Sequence, residues 1–141
     1  MHLPDLYLCA RQNRIPVLIH PMPHCGSMSV RTETGCVIGM DKRVLACPSQ
    51  ERTHLSHELG HCLTGSFYNV HTPFDVRRRH ENRADKWAIQ ALIPPAALDE
   101  AVADGRCTLW ELAEHFSVTE DMMRKAVCLH VHGNLATELY F

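Results

Sequence analysis

His57, Glu58 and His61 stand in the order H-E-x-x-H within "HLSHELGHCL", residues 54–63. Residues four apart on a helix project from nearly the same side, so His57 and His61 can present two imidazole nitrogens about 2.0–2.1 Å from one ion. A catalytic metal of this type takes a third protein ligand and keeps a fourth position for water, and Glu58 then lies beside that water as a general base rather than as a ligand. Glu81 follows in "ENRADKWA", twenty positions after His61, with Asp85 one helical turn further on. The two carboxylates share a face, and Ala84 and Ala88 beside them are small enough to let one helix approach another closely. That spacing suits Glu81 as the third ligand and Asp85 as the acceptor for the second ring N–H of a ligating histidine. With 11 His among 141 residues, composition alone yields about 0.05 chance matches to H-E-x-x-H, so the downstream acidic pair is what argues for a metal site. Imidazole and carboxylate ligands point to zinc, although the same set accepts Mn, Co or Fe.

Positioning these residues requires two helices side by side. Pro48-Ser49 marks the start of the first, with Ser49 as a cap, and Gly65 its stop. Leu55, Leu59, Cys62 and Leu63 make an apolar stripe on this helix, while His54, His57, Glu58 and His61 make a chemical one. The second helix opens near Pro73-Phe74-Asp75, with Asp75 as cap, and must end before Pro94-Pro95 because proline cannot continue the hydrogen-bond ladder. Upstream, residues 5–13 suit a short helix. "IPVLIHP" and "GSMSVRTETGCVIGMDKRVLACP" carry β-branched runs split by turn signals, which predict three or four strands in a small antiparallel or mixed sheet. Downstream, a helix over residues 95–103 and two more in "TLWELAEHFSVTEDMMRKAVCLHVHG" are expected, and the tail "NLATELYF" reads as either a short strand or a frayed end. The expected fold class is α+β, with one domain over residues 1–141: strand-rich 1–47, metal-binding helices 49–93 and a helical part 95–132.

A net charge of −2 argues against a chain that grips nucleic acid, which needs a concentrated Lys/Arg surface. Arg77, Arg78 and Arg79 form the one dense basic run and read as a solvated face. No segment approaches the roughly 18 apolar residues of a membrane span, and the N-terminus lacks a signal-peptide pattern. The seven cysteines (Cys9, Cys25, Cys36, Cys47, Cys62, Cys107 and Cys128) include no C-x-x-C pair and are expected to be reduced, mostly buried thiols, consistent with a cytoplasmic protein.

Three stretches together resemble the ImmA/IrrE family of zinc metallopeptidases, zincin-like proteins of the His-His-Glu ligand type: "HELGH" at 57–61, "ENRADKWAIQALIP" at 81–94 and "LAEHFSVTEDMMRKAV" at 112–127. The resemblance implies zinc on His57, His61 and Glu81, with Glu58 polarising the attacking water. It implies as partner a protein substrate, a transcriptional repressor of a mobile element or stress response. Peptide hydrolysis also needs a donor for the charge that develops on the carbonyl oxygen, and Tyr68, His71 and His80, in or near the loop between the two helices, are the candidates. Among the other histidines, His2, His20, His24, His115, His130 and His132 read as ordinary surface or core positions; His54 shares the motif face. Two alternatives stand beside the peptidase. One is a metal-binding regulator that captures its repressor without cutting it. The other is a helix-turn-helix DNA-binding module in "LWELAEHFSVTEDMMRKAV", disfavoured because Glu120 and Asp121 open its would-be recognition helix, so that Leu109, Leu112, Phe116, Val118, Met122, Met123, Ala126 and Val127 read as packing residues.

Overall fold

A computed structural model describes residues 1–136 and 138. The chain is α+β. Helix α1 (Leu3–Gln12) precedes strands β1 (Val17–Ile19), β2 (Ser27–Thr32) and β3 (Gly35–Met40); helices α2 (Lys42–Leu45), α3 (Pro48–Thr64), α4 (Phe74–Leu92), α5 (Pro95–Ala103), α6 (Leu109–Phe116) and α7 (Glu120–His132) follow. The mixed sheet has the order β1-β3-β2, with β1 parallel and β2 antiparallel to β3. Cys36, Ile38 and Met40 alternate inward along β3 and are buried, because a strand's successive side chains point to opposite faces. Ser27 of β2 pairs with Met40 and shares that inner face, which packs on α3. Within the described sheet β2 pairs only with β3, so its other edge is free.

The core is one continuous apolar cluster running from Leu6 through Ile38, Leu55, Leu59, Ala88 and Ile89 to Met123 and Leu135. Of the four residues in the expected stripe on α3, Leu55 and Leu59 are fully buried, and Cys62 and Leu63 are partly so. In α6, α7 and the turn between them, Leu112, Phe116, Val118, Met122, Met123 and Ala126 are buried in the same cluster, with Leu109 and Val127 packed against it. The helix-turn-helix rhythm is thus the rhythm of a core-facing pair. Arg52 of α3 donates to the Ser117 carbonyl and Thr53 Oγ1 accepts from the Thr119 N–H, tying the α6–α7 turn to the motif helix.

Several local expectations are corrected. Neither α3 nor α4 has a side-chain cap: Cys47 and Pro73 are the N-cap residues, so Ser49 and Asp75 lie inside the first turns. Pro48 occupies the first position of α3, where its missing N–H costs nothing and its fixed φ is already helical. The Asp-Lys step after β3 opens a helix, α2, rather than another strand, because the Asp41 carboxylate accepts from the Arg43 N–H. Gly65 does end α3, in the left-handed conformation at φ 67°. The cysteine expectation fails: Cys36 and Cys62 form a disulfide between β3 and α3, and Cys25, Cys47 and Cys107 are exposed rather than buried. No C-x-x-C spacing announces such a bridge, because it follows from how the helix packs on the strand. Disulfides are rare in the cytosol, so the cysteines no longer support a cytoplasmic assignment. No helix among the described residues is long and apolar enough to cross a membrane. Of the tail, Leu135 is buried and Glu138 pairs with Lys86 of α4; residues 137 and 139–141 lie outside the described residues.

Candidate metal centre

Close packing of α3 on α4 creates the site. Gly60, inside the motif, faces Ala84, and a Cβ at position 60 would lie 2.5 Å from the Ala84 carbonyl oxygen. The two backbones can approach this closely because both residues are small. The contact sets Glu81, one turn before Ala84, opposite the two histidines.

His57, His61 and Glu81 each offer a ligand atom, all within 4.8 Å of one another. The His57 and His61 Nε2 atoms are 3.1 Å apart, His57 Nε2 lies 2.9 Å from Glu81 Oε2, and His61 Nε2 lies 3.3 Å from Glu81 Oε1. The far side of each ring is occupied. His57 Nδ1 donates to Asp85 Oδ1 at 2.8 Å, and His61 Nδ1 donates to the Ser66 carbonyl at 2.5 Å. A carbonyl can only accept, so the His61 proton sits on Nδ1 and the Nε2 lone pair faces inward. With the Asp85 carboxylate accepting from His57 in the same way, two ring lone pairs and a carboxylate converge on one point. Such a set repels itself unless a cation lies between its members.

The electrostatics agree. Burial disfavours a charged His57 ring, but hydrogen bonds to Asp85 and Glu81 overcome it and hold its pKa at about 10. Burial likewise opposes ionisation of Glu81, and the hydrogen bond and charge of the His57 ring, the neighbouring His61 ring and the Tyr68 hydroxyl overcome it, holding the carboxyl well below the usual carboxylate range. Without metal, a proton on His57 supplies the positive charge. The donor set therefore fits a divalent cation, which would replace that proton.

The structure brings His57, His61, Glu81 and Asp85 together and places Glu58 beside them, buried, on the wall of a cleft of about 760 Å³. Of the candidate oxyanion donors, Tyr68 lines this cleft and its hydroxyl donates to Glu81 Oε1 at 2.5 Å. Burial, together with that hydrogen bond, raises the phenol to about 12, so it remains a donor at neutral pH. His80 does not line the cleft. Its ring stacks on Tyr68 with centroids 6.3 Å apart, and its Nδ1 is buried without a hydrogen-bond partner among the described residues. His71 is exposed in the loop and also stands outside the cleft. The arginine run is less idle than a solvated face: Arg77 holds the loop by donating to the Thr72 and Val70 carbonyls.

Three contributors were not read from the sequence. Ser66 follows the helix-ending Gly65, and its N–H bonds back to the His61 carbonyl, which turns its own carbonyl toward the His61 ring; such a fold-back is the usual consequence of a left-handed helix end. Lys125 of α7 donates to Asp85 Oδ2 at 3.1 Å and also pairs with Asp121. Ser27 of β2 donates to Glu58 Oε2 at 2.7 Å and contacts His54 Nδ1 at the same distance. The partners of Lys125 and Ser27 are far away in sequence, and only the tertiary fold brings them in.

An α+β chain in which a helix-borne histidine pair meets a glutamate from the next helix has the donor set of a metal-site protein. Over residues 15–127 it matches the peptidase family described as the IrrE N-terminal-like domain, and it belongs to that family. No curated protein and no solved structure matches the chain.

Proposed function

We propose that the protein is a zinc-dependent endopeptidase that hydrolyses a peptide bond in a protein substrate. The carrying observation is the convergence of His57, His61 and Glu81 with both histidine Nδ1 atoms already committed to acceptors, in a chain of a peptidase family. His57, His61 and Glu81 would hold the metal, which when bound lowers the pKa of a coordinated water toward about 7 and polarises the scissile carbonyl. Glu58 takes the water's proton and returns it to the leaving amine. Tyr68, a neutral donor at the cleft wall, is the group best placed to meet charge on the former carbonyl oxygen. The free edge of β2, whose Met28, Ser29 and Val30 line the cleft, offers an extended peptide backbone a strand to pair with.

The substrate we favour is a cytoplasmic transcriptional repressor of a mobile element or stress response, a reading that rests on the family. DNA binding by α7 is disfavoured because Asp121, Met122 and Lys125 face the cleft. Capture without cutting is the second reading. Incubation with the repressor encoded beside this gene, followed by intact-mass measurement with and without chelator, separates them: fragments that vanish with chelator support cleavage, and an intact complex supports capture. Elemental analysis of protein purified without added metal should return about one zinc per chain. Glu58→Gln should keep that metal and lose cleavage, whereas His57→Ala or Glu81→Ala should lose the metal. Retained turnover in Glu58→Gln removes the base assignment.

A further inference from the structure

Glu58 is buried where α3 meets β2, and one of its carboxylate oxygens is held. Ser27 Oγ lies 2.7 Å from Glu58 Oε2 and 2.7 Å from His54 Nδ1. A serine hydroxyl carries one hydrogen and a carboxylate only accepts, so that hydrogen goes to Glu58 and the second contact must be donated by the ring. The chain therefore runs in one direction, from His54 Nδ1–H to Ser27 Oγ–H to Glu58 Oε2. Its geometry is prepared on both sides. His54 lies one helical turn before His57 and Glu58 on the motif face. Gly26, at φ +76°, leaves the space its ring occupies: a Cβ there would sit 3.0 Å from His54 Cε1 and 3.0 Å from Val44 Cγ2.

We propose that Ser27 and His54 are positioning residues that clamp Glu58, fixing the rotation of its carboxylate in the cleft. The His54 tautomer aims the serine hydroxyl, and the serine aims the base. Neither residue touches the metal ligands' nitrogen atoms, so the clamp governs what Glu58 does without governing whether metal binds. The catalytic half of this inference rests on the peptidase reading; the hydrogen-bond chain itself does not.

Nitrogen-15 NMR of the metal-loaded protein reads the chain directly. His54 should appear as the Nδ1–H tautomer in the wild type and revert toward the Nε2–H form in Ser27→Ala. A reporter peptide, chosen as one the wild type cleaves from a library of unstructured peptides, reads the consequence. Ser27→Ala and His54→Leu should lower kcat about 10- to 100-fold with KM and zinc content unchanged, the range expected when a supporting hydrogen bond is removed from a metal site. His54→Asn, whose amide nitrogen can take the place of Nδ1, should recover most of the loss; damage to folding alone would not be repaired this way. A His54 in the Nε2–H form in the wild type, or wild-type kcat in His54→Leu, overturns the proposal. Should the wild type cleave nothing in the library, the peptidase reading fails and the tautomer alone decides the clamp.

Discussion

Asp85 shows how far a single carboxylate can orient a candidate metal ligand. It is buried, which raises the cost of its charge, yet the His57 ring and Lys125 hold its pKa below the ordinary value. One oxygen receives the His57 Nδ1–H and the other receives Lys125 Nζ, so the ring's tautomer and its rotation are both set from α4 and α7. Asp85→Ala should therefore weaken zinc binding about 10- to 100-fold while leaving His57, His61 and Glu81 in place. Competition with a chromophoric chelator measures this, and unchanged affinity would show that the Ser66-held His61 and Glu81 suffice. Asp85 was legible in the sequence because E-x-x-x-D puts both carboxylates on one helical face. Lys125 was not, because its partner lies forty positions earlier on another helix.

At the level of elements, the site depends on the distance between two helices, and Gly60 and Ala84 fix it. An added methyl at Gly60 would meet backbone atoms at 2.5 and 2.9 Å, neither of which can swing away as a side-chain tip would. Gly60→Ala should destabilise the metal-free protein by about 2–3 kcal/mol, the upper part of the overpacking range. At this chain length that lowers Tm by roughly 6–12 °C, readable by thermal melting; a shift under about 2 °C would mean that the helices separate at little cost. Asp41 governs a different junction, where β3 passes into α2. Hydrogen bonds from the Arg43 side chain, the Arg43 N–H and the Met22 N–H hold its carboxyl well below the usual range. Because the folded pKa is depressed, its contribution is present above the unfolded value of about 3.9 and is lost as pH falls through and below it. Wild type should thus be more stable to urea than Asp41→Asn at pH 6, and the gap should shrink steadily as pH falls from about 4 toward 2. A gap as wide at pH 2 as at pH 6 would assign the difference to shape rather than charge. The sequence announced this aspartate as a turn but not as a cap, since the short segment after it, Lys42–Leu45, contains a β-branched valine. The two long helices were readable because Pro48 and Gly65 bound the first and Pro73 and Pro94 bracket the second, and the small sheet because its glycines and turns break it into short runs.

Across the whole molecule, the disulfide ties the sheet to the motif helix: Cys36 lies on the central strand β3, and Cys62 directly follows His61 on α3. Periodicity could place both residues in elements but could not say that strand and helix pack with these two Cα atoms 5.9 Å apart; an odd, scattered set of cysteines instead suggested free thiols. With its ends 26 positions apart, a closed loop of this size stabilises the fold by about 3 kcal/mol through the entropy it removes from the unfolded chain. Reduction, or Cys36→Ser with Cys62→Ser, should lower the unfolding free energy by about that amount and Tm by roughly 10 °C. Zinc content should hold, because no ligand passes through the bridge. Alkylation in denaturant without reductant supplies the decisive count by intact mass: protein purified under air should take up one label for each of its five free cysteines. Seven labels would mean that strand and helix are held by packing alone, and the loss of stability on adding reductant should then vanish with the bridge.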